Sequence, residues 1–200
     1  MDISEVLGNE LFIKIKKSLD NGEDINDNCF GESDYAGQFS LNKDDIPSLR
    51  NLIRPCLKNA EAESNETSLN IALVALRTIA EFNISEAIQL LLELLNETED
   101  GDIVNDTIWD ELVDAGSFAD PATVTFLCDF ILSNSYKDIA VQAAIICLND
   151  AMQDNPDMVN IAKSAMIKKL DNYKNNSPEI NGKRPAGPHI RRNFSEASRF

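Results

Sequence analysis

Apolar residues recur at helical spacing along most of this chain. Ile3, Leu7, Leu11 and Ile15 share one face of a segment running from about Ser4 to Leu19, which predicts a first helix. The following NGEDINDNCFGESDYAGQFS is rich in Gly, Asn, Asp and Ser and reads as an irregular connection. From about Asn42 the pattern becomes continuous helix. DDIPSLRNLIRPCLKNA has acids in its first turn and Pro47 near its start, where the missing N–H costs little, while Pro55 is placed to bend or divide it. After the polar break AEAESNE, the periodicity predicts six helices near 66–80, 85–95, 103–115, 121–133, 137–152 and 156–173, taken as three consecutive pairs. Asp120-Pro121 and Asn155-Pro156 each supply an N-cap followed by proline at the first helical position, and Ser85 is the expected cap of the second helix. IAVQAAIICL is apolar nearly all round, which predicts burial between layers.

The starts of successive pairs lie roughly 35 residues apart, the spacing of helical hairpins that bury their apolar faces only by stacking on one another. In SLNIALVALRTIAEFNISEAIQLLLELL and DIAVQAAIICLNDAMQDNPDMVNIAKSAMIKKL the chain resembles HEAT or armadillo repeats, over about residues 66–173. That resemblance implies an all-α fold, a right-handed stack of helical hairpins, with an irregular helical bundle as the alternative. The phrase SLDNGEDIN resembles the helix end and loop of an ankyrin repeat, but GESDYAGQF stands where the T-P-L-H helix start belongs. The expected organisation is an N-terminal helix and loop over 1–40, a helical-repeat domain over 41–175 and a basic flexible tail over 176–200.

Charge adds what periodicity cannot. The 200 residues hold 34 acids against 18 bases, a formal charge of −16. Such a field repels nucleic acid and anionic membranes and accelerates encounter with basic partners. The last 25 residues reverse the sign, with 5 bases and 2 acids, and their prolines at 178, 185 and 188 without an apolar period predict an extended tail. MDISEVLGNE has neither a basic n-region nor a long apolar h-region, so no signal peptide is expected, and no apolar run approaches the length of a membrane span. Cys29, Cys56, Cys128 and Cys147 are widely separated, which suits a reduced, cytoplasmic protein.

The sequence offers little catalytic chemistry. His189, in the tail, is the sole histidine, so no Ser/His/Asp or Cys/His arrangement can form inside the helical domain. Zinc-ligand spacing, a phosphate-binding P-loop and a dinucleotide fingerprint are all missing from the sequence. A calcium loop centred on Gly101 would place Asn96, Thr98 and Asp100 at positions 1, 3 and 5 but Thr107 at position 12, losing the bidentate carboxylate. The expectation is a chain that is not an enzyme and holds no cofactor and no metal.

What stands out is LNETEDGDIVNDTIWDELVDAGSFAD, residues 95–120, with nine carboxylates and no lysine or arginine. Between Arg77 and Lys137 there are 13 acids and no base. On the helix near 103–115, Asp106, Asp110 and Asp114 recur at i, i+4 and i+8 as an acidic ridge, and like charges at that spacing cost roughly 0.2–0.5 kcal/mol per pair. The core stripe of this helix is expected at Val104, Ile108, Leu112 and Ala115, leaving Trp109 on its shoulder. Glu97, Glu99, Asp100, Asp102, Asp106, Trp109, Asp110, Glu111 and Asp114 are therefore the candidate partner-binding residues, with an edge aromatic among carboxylates suited to a basic protein. In character the chain resembles the small acidic immunity proteins that neutralise basic nuclease toxins. That resemblance implies a partner that is a basic protein, with carboxylates standing in for phosphates in its nucleic-acid cleft, and no direct contact with nucleic acid or membrane. The alternative expectation is a general helical-repeat scaffold or assembly factor that binds a peptide or subunit in its groove.

Overall fold

A computed structural model of the chain describes residues 8–23, 25, 34–63, 65–97, 103–133, 135–153 and 155–176. These residues form nine α-helices and no strand: α1 (Glu10–Asp20), α2 (Tyr35–Gln38), α3 (Ile46–Glu63), α4 (Glu66–Phe82), α5 (Ile84–Glu97), α6 (Ile103–Gly116), α7 (Pro121–Ile131), α8 (Asp138–Met152) and α9 (Pro156–Asn176). The fold is all-α. The described residues as far as Met166 belong to one compact unit, and Ile167–Asn176 of α9 belongs to a second. In that second unit Ile167 and Leu170 are exposed. The expected tail from residue 177 onward lies outside the described residues, as does the predicted start of the first helix at residues 4–7.

The helix ends follow local chemistry. Asn9 opens α1 by accepting from the backbone N–H of Leu11 at 2.9 Å, and Asn65 opens α4 by accepting from Ser68 at 3.1 Å. The expected cap at Asp120 is present: one carboxylate oxygen accepts from both the N–H and the hydroxyl of Thr123, each at 2.7 Å. Asn155 caps α9 through the Met158 N–H. Ser85 is not the cap of α5, because α4 and α5 are joined by Asn83 alone. Its own N–H closes α4 on Ile79 O at 2.8 Å, and its side chain accepts from the Glu86 N–H at 3.2 Å. Pro55 lies inside α3, which continues as one helix to Glu63. The missing N–H frees the carbonyl of Asn51, a residue exposed to water that can take its place.

The expected helices are present, and the first expected pair, α4 with α5, packs side by side, but the second, α6 with α7, does not. Within the compact unit the consecutive pairs that pack side by side include α3 with α4, α4 with α5, α5 with α6 and α7 with α8, while α6 also packs on α8, α5 on α7 and α8, and α3 on α6. Expected partners α6 and α7 make little contact with one another. Instead α6 packs on α8, with Gly116 at its end lying against the α8 backbone at Cys147. A contact between residues so far apart in sequence leaves no trace in local periodicity.

The helix buried nearly all round is α4, not the expected α8. Every residue from Ile71 to Ala80 is buried, because α1, α2, α3 and α5 all pack on this helix. In α8 the small residues Ala140, Ala143, Ala144 and Cys147 face inward, but Gln142, Ile146 and Asn149 face water. The connection read as irregular also contains α2, whose Tyr35 and Ala36 are buried together with the following Phe39, the two aromatic rings stacked 6.5 Å apart.

Candidate functional site

Helix α6 carries the ridge at the centre of its outer face. Val104, Ile108, Leu112 and Ala115 are all buried, as their period requires, and Asn105 is buried beside them. With that stripe held against α5, α8 and α3, the 100° step of the helix turns Asp106, Asp110 and Asp114 outward, and all three are exposed. Among the described residues no lysine or arginine pairs with any of them. Trp109 is half-buried at one border of this face and packs against the core, so only part of its ring is available to a partner.

Glu111 is a correction. It occupies the opposite border of α6 and is only 3% exposed, turned inward onto Arg77 of α4, itself 4% exposed. Arg77 Nε donates to Glu111 Oε2 at 3.0 Å and Nη2 donates to Oε1 at 2.5 Å, a bidentate pair. Arg77 Nη1 donates to the hydroxyl of Tyr35 at 2.8 Å, and the guanidinium stands 5.4 Å from the centre of that ring. Just beyond, the Glu81 carboxylate accepts the backbone N–H groups of Tyr35 and Ala36, fastening α2 to α4. Burial pushes the Glu81 carboxyl above its usual range, and those two donors partly offset the shift.

Glu97 is exposed but paired. Arg54 of α3 holds its carboxylate with Nε–Oε2 at 2.8 Å and Nη2–Oε1 at 2.9 Å, and also reaches Glu93 at 3.2 Å. This hydrogen-bonded pairing draws the Glu97 carboxyl below its ordinary range. Arg50 pairs with Glu86 one turn earlier. Arginines outside the base-free interval thus neutralise Glu86, Glu93, Glu97 and Glu111 within it, and they do so from helices that local charge patterning cannot identify. Glu99, Asp100 and Asp102 lie outside the described residues.

One signal for the buried pair was available. Arg77 interrupts an otherwise apolar run, IALVALRTIA, and a charge in such a place requires a partner. Other candidate chemistry is modest. Asn96, the first position of the rejected calcium loop, accepts the Lys137 backbone N–H at 2.8 Å. Among the described residues no three His, Cys, Asp or Glu side chains are grouped to hold a metal ion. Burial pushes the thiols of Cys56 and Cys147 up to about 12 and that of Cys128 up to about 11, so at neutral pH they are protonated and weakly nucleophilic. No described helix is long and apolar enough to cross a membrane.

Compared with protein-family models, curated proteins and solved structures, the chain matches none.

Proposed function

We propose that this chain is a non-catalytic, cytoplasmic binding protein that neutralises a basic protein partner, in the manner of immunity proteins that block nuclease toxins. The observation that carries the reading is the contrast on α6. Glu111 is satisfied by Arg77, while Asp106, Asp110 and Asp114 stand exposed at successive turns with no base paired to them among the described residues. Each i, i+4 pair of these aspartates costs the isolated helix roughly 0.2–0.5 kcal/mol. Asp114, in the last turn, also opposes the helix dipole. Folding gains nothing from this arrangement, whereas a cationic surface brought against it relieves both costs.

A row of carboxylates repeating about every 6 Å along the helix suits a row of lysines or arginines in a nuclease cleft. Long-range attraction speeds encounter, and desolvated contact near Trp109 slows release. The test is co-expression with basic proteins encoded beside this chain. Rescue of growth by the native chain, lost on Asp106→Asn, Asp110→Asn and Asp114→Asn together, is the expected result. Equal rescue by the substituted chain overturns the assignment of the surface.

A further inference from the structure

Tyr35, Arg77 and Glu111 come from three helices and meet in one buried line: α2 offers a hydroxyl, α4 a guanidinium and α6 a carboxylate. We propose that this relay is a conformational coupling device, in which docking of α2 on α4 fixes the setting of α6 and so the presentation of its acidic ridge. As regulation of the docking surface, the proposal rests on the function proposed above; as a coupling between helices it stands without it.

The geometry supports the coupling at each link. Two edges of the Arg77 guanidinium are engaged, one by Glu111 and one by Tyr35, while the Tyr35 ring packs against the guanidinium and stacks on Phe39. The tyrosine therefore closes the pair from the side remote from α6. Removing it takes one acceptor from the buried guanidinium and opens a path for water to a pair whose strength depends on dryness. Glu111 lies next in sequence to Asp110, so any slackening at Arg77 acts on the turn that carries the centre of the ridge. The outer end of the relay is accessible to control. Glu81 is exposed, yet its carboxylate holds the backbone N–H groups of Tyr35 and Ala36 at the start of α2. A change at the protein surface thereby reaches α6 through α2 and Arg77, by a shift between docked and undocked α2.

Amide hydrogen exchange on the full chain tests the coupling. In Tyr35→Phe, which keeps the stacked ring and loses the hydroxyl, protection of α6 amides should fall about ten-fold together with α2, as loss of one buried hydrogen bond to a charged group implies. In a Glu111→Gln background the same substitution should change α6 by less than about two-fold, because the link is already cut. Glu81→Gln, which leaves the buried pair untouched, should reproduce the α6 effect in smaller measure. An unchanged α6, an equal fall in both backgrounds, or an equal fall throughout α7 and α8 overturns the coupling. Binding of an arginine-rich peptide separates the two readings. If Tyr35→Phe loosens α6 and weakens the peptide, regulation is supported. If only the triple aspartate variant weakens it, regulation fails and docking stands. If neither variant does, the docking reading fails while the coupling stands on exchange alone.

Discussion

Arg77 and Glu111, 34 residues apart, form a two-pronged ion pair buried between α4 and α6. Taking two charges out of water is costly, and their mutual hydrogen bonds, with the Tyr35 hydroxyl on Arg77, offset the cost. Removing one partner strands the other. Arg77→Ala or Glu111→Ala should each destabilise the chain by about 3–5 kcal/mol, seen as an earlier urea midpoint at unchanged slope. The paired replacement Arg77→Met with Glu111→Leu should be far milder than either single change.

The surface pairing of Arg54 with Glu97 behaves differently. Both side chains are more than a third exposed. Arg54→Ala should cost less than about 1 kcal/mol, and the loss should fade as salt is added. The loss from Arg77→Ala should persist under the same salt, which a pair of denaturation series at low and high ionic strength will read.

Asp120 caps α7, and the hydroxyl of Thr123, followed by its N–H, draws the carboxyl below its ordinary range. Asp120→Ala should cost about 1 kcal/mol at neutral pH. A depressed folded value means the stabilisation is complete above the unfolded carboxylate value and is lost as pH falls through the folded one. The difference between wild type and Asp120→Ala should therefore shrink on acidification below about pH 4.

Gly116 marks where α6 closes on α8. An added Cβ would lie 2.8 Å from the Cys147 carbonyl oxygen and 3.1 Å from Cys147 Cα, both backbone atoms that cannot swing aside. Gly116→Ala should cost about 1–3 kcal/mol by forcing the helices apart, measurable as a lowered Tm.

The helices themselves were legible because apolar period and capping residues are local. Asp120 and Asn155 open their helices as read, and the stripe Val104, Ile108, Leu112 and Ala115 is wholly buried. Ser85 misled because Asn83, two residues earlier, performs two capping tasks in a one-residue joint. The pairing of α4 with α5 was legible, but the packing of α6 on α8, where Gly116 meets Cys147, was not, since it joins residues far apart in sequence. Glu111 looked like part of the ridge because helix-spacing rules report only neighbours three or four residues away. Its partner stands on α4. Of the candidate surface, the three aspartates and half-buried Trp109 keep an outward position, while Glu97 and Glu111 are engaged by arginines.

The ridge carries one thermodynamic signature of its own. Asp110→Asn with Asp114→Asn removes both i, i+4 repulsions and should raise stability by about 0.4–1 kcal/mol. A surface kept for binding should gain stability when disarmed, and thermal unfolding of this double variant will show it.

The most direct test of the central claim is calorimetric titration of a basic partner protein into three chains at low and high ionic strength. These are the native chain, the Asp106→Asn, Asp110→Asn, Asp114→Asn variant, and a control carrying Glu61→Gln, Glu63→Gln and Glu66→Gln, exposed positions outside α6 with the same loss of charge. The account predicts that the ridge variant alone loses affinity by more than ten-fold, and that salt weakens the native and control complexes far more than the ridge variant's. Equal affinities for ridge variant and control, at either ionic strength, would contradict it.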